Sequence, residues 1–130
     1  MPRVSAAFFL VGVLLVLFGM SLGEYMNMHE DFTLMPVHAH ANLLGWVTLA
    51  LFGTFYALTK DTYSPRLAWL NFILSAGGVL VTLPLLAYLL MHPEQGPTLG
   101  PIVGAAAGIT ILGMLVFLVS VWREFTRKRG

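Results

Sequence analysis

Four stretches of this chain, Val4–Gly23, Leu34–Thr59, Leu67–Met91 and Leu99–Trp122, contain no Asp, Glu, Lys or Arg. Each reaches the roughly 20 residues that an α-helix needs to cross about 30 Å of hydrocarbon. A membrane-spanning strand needs only about 9–11 residues, but it alternates apolar and polar positions. No such alternation is present. Helices also satisfy their own backbone in lipid, which open strands cannot do. The segments therefore predict an all-α integral membrane protein, a four-helix up-down bundle forming a single domain over residues 1–130. Composition agrees, with 58% hydrophobic and 10% charged residues, where a soluble domain carries about 25% charged. The first segment is longer than the roughly 7–15 apolar residues of a signal peptide. It reads as a retained helix, although the glycines and Ser21 near its end resemble a cleavage region.

Basic residues set the orientation. Arg3 precedes the first segment, Lys60 and Arg66 lie in the second connection, and Arg123, Arg127, Lys128 and Arg129 follow the last segment. The first connection, Glu24–Thr33, and the third, His92–Thr98, contain neither Lys nor Arg. By the positive-inside rule both termini are cytoplasmic, and the multi-pass chain belongs in a bacterial inner (plasma) membrane. Tyr63, Trp69 and Trp122 then mark the inner interface and Tyr25 and Tyr88 the outer one. All four histidines, His29, His38, His40 and His92, fall on the outer side, with Glu24, Glu30, Asp31 and Glu94.

Several function classes drop out. There is no cysteine, so disulfides, thiolate metal sites and thiol nucleophiles are excluded. A net charge of +1 and the absence of a basic patch interleaved with aromatics give no sign of a nucleic-acid partner. No acidic or basic residue inside a segment marks an ion path. Asn71, Ser75, Thr82 and Thr110 read as interhelical hydrogen-bonders. Gly100, Gly104 and Gly108 on the last segment, and Gly19 and Gly23 on the first, have the spacing that lets helices approach closely. Pro84 predicts a kink in the third helix.

The candidate chemistry lies in His38-Ala39-His40. Pro36 suits the first turn of a helix, which places both imidazoles near the outer end of the second one. At about 100° per residue, positions two apart point about 200° apart. The pair cannot hold one metal ion together, but each can serve a different neighbour. Imidazole ligates iron, copper and zinc, and histidine within a membrane segment is a functional candidate by default. With no ligand, both would simply be interfacial histidines. A second candidate is Met26-Asn27-Met28-His29 with Met35, whose thioethers and imidazole suit copper, or else a loop resting on the membrane surface. Met91-His92 is a third, or else a polar helix end before Pro93.

The stretch His38-Ala-His40-Ala-Asn-Leu-Leu-Gly45-Trp-Val-Thr-Leu-Ala-Leu-Phe-Gly53-Thr-Phe-Tyr56 resembles the heme-ligating helices of heme–copper oxidase subunit I and nitric oxide reductase. There an HxH pair gives one histidine to each of two hemes. That family arranges twelve helices as three groups of four, and this chain looks like one group standing alone. The resemblance implies a heme b-binding protein, with His38 and His40 as iron ligands. It further implies a homotrimer, in which His38 of one protomer and His40 of the next supply the axial ligands. Ala39, Ala41 and Gly45 would leave room, and the propionates would turn to water, main-chain amides or His92. The family's separate copper ligands and charged proton pathway have no counterpart, so oxygen reduction and pumping are not implied. Electron transfer, or gas, nitric oxide or heme handling, is the expected role. The alternatives from other classes are outer-surface copper binding by Met26, Met28, His29, His38 and His40, and a non-catalytic subunit packing through its glycine faces.

Overall fold

The computed structural model describes residues 1–128, so Arg129 of the basic tail lies outside the described residues. Among the described residues the chain is all-helical, with no strand. Helix α1 is Arg3–His29. Helix α2 is Met35–Leu58, helix α3 is Pro65–Met91, and a 3-10 turn at Pro93–Gln95 leads into α4, Gly96–Phe125. All four are long and apolar enough to cross a membrane.

Two boundaries differ from the sequence expectation. Helix α1 continues past Gly23 to His29, so Met26, Met28 and His29 are helical and not part of a loop. Nothing in Glu24–His29 breaks a helix. It ends at Glu30, which takes a left-handed conformation with φ 51°. The Glu30 amide donates to the Asn27 carbonyl at 3.3 Å and the Asp31 amide to Met26 at 3.2 Å. This is the paired closure that satisfies the last carbonyls of a helix. Helix α4 likewise starts before Leu99 and runs beyond Trp122. Pro84 and Pro101 are accommodated within α3 and α4 without ending them.

Helix α2 is not uniform. Its first turns, Met35–His40, are α-helical. Ala41–Thr48 is a π-helix, with bonds five residues apart and a wider turn. Leu49–Leu58 returns to α. Within the wide stretch the Thr48 hydroxyl donates to the Leu43 carbonyl, five residues back, at 2.9 Å. The side chain of Leu15 on α1 lies against Gly45 at the centre of this stretch.

The helices pair as two hairpins. In the first, Gly23 lies against His38, Gly19 against Ala41 and Asn42, Gly12 against Trp46, and Gly53 against Ser5 and Phe8. Numbers fall along α1 as they rise along α2, so these two helices are antiparallel. In the second, Gly78 lies against Thr110 and Gly113 against Ser75. Helix α3 also packs on α1 and α2, whereas α4 rests almost wholly on α3. Phe8, Phe52 and Tyr56, all buried, form the aromatic centre with Phe72 and Phe117.

The glycine pattern is thus only half matched. Gly19 and Gly23 do mark a close approach of helices. Gly100, Gly104 and Gly108 have no atom within 4 Å of where a side chain would begin. Helix α4 is the least covered element, 11% buried over its apolar window against 33% for each of the other three.

Candidate functional site

The two histidines of α2 go to opposite sides of it. His38 faces α1. Its Nδ1–H donates to the Gly19 carbonyl at 2.7 Å. That fixes the proton on Nδ1 and leaves Nε2 to accept from the Asn42 amide at 3.2 Å. Both ring nitrogens therefore have protein partners. Gly23 is required beside the ring, because an added Cβ would lie 2.9 Å from Cε1. Asn42 is pressed against Gly19, and its Oδ1 is buried without a partner.

His40 faces the other way. Its Nδ1–H donates to the Pro36 carbonyl, one turn back, at 2.6 Å. No other hydrogen bond to the ring is present among the described residues. The tautomer is set and Nε2 is left free, which is the arrangement that a metal-ligating imidazole needs. The ring lines a cleft of about 350 Å³ between α2, α3 and α4.

The cleft follows from how α2 and α4 meet. They touch through Phe52 and Phe117, ring centres 4.3 Å apart, and through the Tyr56 hydroxyl, which donates to Ser120 at 3.1 Å. Toward His40 they part. Leu44 and Thr48 of α2 face Ala107 and Ile111 of α4, with Val79 and Leu83 of α3 as the floor. The wall is apolar apart from His40 and a few hydroxyls. The size lies at the lower end of the roughly 300–1,000 Å³ of small-molecule sites.

The polar residues of α3 only partly do what their positions suggested. Asn71 donates to the Tyr56 hydroxyl at 3.2 Å, an interhelical bond as expected. Ser75 donates to Asn71 Oδ1 at 2.8 Å on its own helix. Thr110 packs on Gly78, and the buried Thr82 hydroxyl has no partner. Tyr56 is the residue that sequence reasoning missed. It is fully buried and links α2, α3 and α4, although tyrosine near a helix end reads as an interfacial residue.

The remaining candidates are dispersed. Met26 is buried while Met28, two residues on, is 72% exposed, so the Met/His group of α1 does not converge. His29 stacks on Tyr25 at 4.1 Å and donates to its carbonyl at 2.8 Å. His92 repeats this on Tyr88, at 4.2 Å and 3.0 Å, and does not line the cleft. No three of His, Asp and Glu gather as a metal site among the described residues. In the α1–α2 turn, hydrogen bonds from the Thr33 hydroxyl and amide hold the Asp31 carboxyl below its ordinary pKa.

Comparison with protein families, with characterised sequences and with solved structures finds no match to the chain.

Proposed function

We propose that this chain is a heme b-binding protein of the bacterial inner membrane, in which His40 would be the primary residue holding the iron. The observation that carries this reading is the His40 ring, tied at Nδ1 and free at Nε2, on the wall of an apolar cleft. Heme b supplies one-electron chemistry when bound, tuned by its axial ligands and surroundings. The chain's own part is to ligate, to exclude water with Leu44, Val79, Leu83 and Ile111, and to hold the imidazole proton on Nδ1. The role is electron transfer, or gas or heme handling. The fit is less direct for His38, whose Nε2 is occupied by Asn42. For His38 to ligate the heme of a neighbouring protomer, Asn42 must turn away, and Met20, Ser21 and Glu24 line an open groove beside the ring. His92 does not line the cleft and its Nδ1 is bonded to the Tyr88 carbonyl, so no contact of the site supports its expected role toward a propionate.

The proposed topology is an up-down bundle with both termini cytoplasmic, as the Lys and Arg distribution requires. A homotrimer is the assembly that would bring His38 of one protomer to His40 of the next. The open Gly100, Gly104 and Gly108 face supports packing against another chain. It equally favours the second reading, a non-catalytic subunit of a larger complex.

An absorption spectrum of the purified protein tests the proposal. A Soret band that His40→Ala abolishes is the expected result, and no Soret band after supplying hemin during expression would overturn it. Copper bound without a Soret band would favour the copper reading through Met26, Met28, His29, His38 and His40.

A further inference from the structure

Helix α4 is built in two unlike halves. Six of the thirteen residues Gly96–Gly108 are glycine or proline, against one of the seventeen in Ile109–Phe125. These are the two weakest helix formers. Pro101 also has no amide to give the Pro97 carbonyl, one turn back. Gly100, Gly104 and Gly108 touch nothing where a side chain would begin, and Ala106 is the one buried residue of this half.

The second half is fastened. Phe117 packs on Phe52 and Phe55 of α2, ring centres 4.3 and 5.1 Å apart. Ser120 accepts from Tyr56 of α2 at 3.1 Å, and Glu124 accepts from Thr62 in the α2–α3 connection at 2.7 Å. Each of these ties starts at Phe117 or beyond. Between the halves α4 crosses α3 closely. A Cβ on Gly78 would lie 2.8 Å from the Thr110 amide nitrogen, and one on Gly113 would lie 2.8 Å from that of Ser75. A weakly helical segment with few contacts opens more easily than the rest of a fold.

The loose half adjoins the cleft, where Ala107 forms part of the wall. Ile111 and Met114 also line the cleft and are 63% and 45% exposed. The mouth therefore opens sideways near the middle of α4, at a depth occupied by hydrocarbon.

We propose that Gly96–Gly108 is a lateral gate, swinging on the crossing at Thr110 and Gly113, that admits the occupant of the cleft from the bilayer. The occupant is then an apolar molecule dissolved in the membrane and not a solute of the aqueous phase. The gate rests on the cleft being the ligand site of the reading above. Its motion is measured without hemin, so failure to bind heme and failure of the gate are separate results.

The chain has no cysteine, so introduced cysteines take spin labels without background. Three pairs at exposed positions are compared. Leu43→Cys/Ile102→Cys reports α2 against the loose half of α4, Leu51→Cys/Leu118→Cys reports α2 against the fastened half, and Leu43→Cys/Val81→Cys reports α2 against α3. Double electron–electron resonance is recorded in lipid nanodiscs, with labelled chain diluted in unlabelled chain. The first pair should give a distance distribution at least about twice as wide as the other two, as local opening requires. Gly100→Ala/Gly104→Ala/Gly108→Ala, whose new methyl groups meet nothing, should narrow it toward theirs. Equal widths in all three pairs would overturn the gate, and so would a Leu43–Val81 distribution as wide as the first, which would place the motion in α2. A single label at Ala107→Cys should collide more often with membrane-dissolved oxygen than with a water-soluble nickel chelate. The reverse would show entry from water and overturn the lateral route.

Discussion

The two faces of α2 are built oppositely. On one, Gly12, Gly19 and Gly23 of α1 and Gly45 and Gly53 of α2 remove every side chain that would hold the helices apart. Asn42 and His38 are locked into that seam. On the other face no glycine intervenes, α4 diverges, and His40 keeps a free nitrogen beside a cleft. One imidazole is therefore part of the packing and the other is available. Equal spacing in sequence does not give equal freedom, because the neighbouring helix decides it.

The largest effect should come from testing that difference directly. His40→Ala is expected to lower the heme-to-protein ratio at least about tenfold, the lower end of the roughly 10–100-fold that losing even a ligand's supporting contact costs. His38→Ala should keep most of the heme and change its spin state, because it removes only the second imidazole. Optical spectra of both variants check this. Unchanged heme in both would remove the proposed ligation altogether.

Next comes packing. In Gly113→Ala the new Cβ would lie 2.8 Å from the Ser75 amide nitrogen, an overpacking that costs about 1–3 kcal/mol. Gly104→Ala meets nothing and should leave the melting temperature of the isolated chain in detergent unlowered, or slightly raised by alanine's better helix propensity. If it also lowers the oligomer fraction in native mass spectra, the open glycine face of α4 is an assembly surface.

A smaller loss is expected for Tyr56→Phe. It strips Asn71 of its acceptor and Ser120 of its donor, at a cost of about 1 kcal/mol in a membrane interior. A denaturant titration in mixed micelles measures it.

The smallest effect concerns the α1–α2 turn. Asp31 has a depressed pKa in the folded chain because Thr33 bonds its ionised form. That contribution is present above the unfolded carboxylate pKa and is lost as pH falls through the folded one. Amide exchange at Asp31–Thr33 should rise only in that acidic window, and Thr33→Ala should remove the dependence.

How much of this was legible in the sequence varies by element. The four spans were, because charge-free runs of this length have few alternatives in lipid. The divergence of His38 and His40 was also legible, since it depends only on helical periodicity. The glycines of α4 marked a face that another helix can approach, and no other helix of the described residues does so. Small-residue spacing shows that a helix can be approached, and the partner is set elsewhere. Met26 and His29 were placed in a loop because Glu24 was taken as the membrane boundary, whereas a helix can run on into water. Tyr56 was hidden because its burial depends on three helices meeting. The unsatisfied carboxamide oxygen of Asn42 and the hydroxyl of Thr82 likewise depend on packing that no local pattern encodes.

The wide turns of Ala41–Thr48 have one further consequence. A stretch bonded five residues apart is an α-helix that has absorbed extra residues without changing its partners at either end. It acts as a phase adjuster between the histidine pair and the aromatic centre. Deleting a single residue such as Leu43 would let this stretch close into ordinary α-helix and leave the two ends nearly in phase, whereas deleting one from the α-helical turns that follow, such as Ala50, would turn His38 and His40 by about 100° relative to Phe52 and Tyr56. Neither the Gly19 carbonyl nor the cleft would then find an imidazole opposite it, although no residue touching either had been changed.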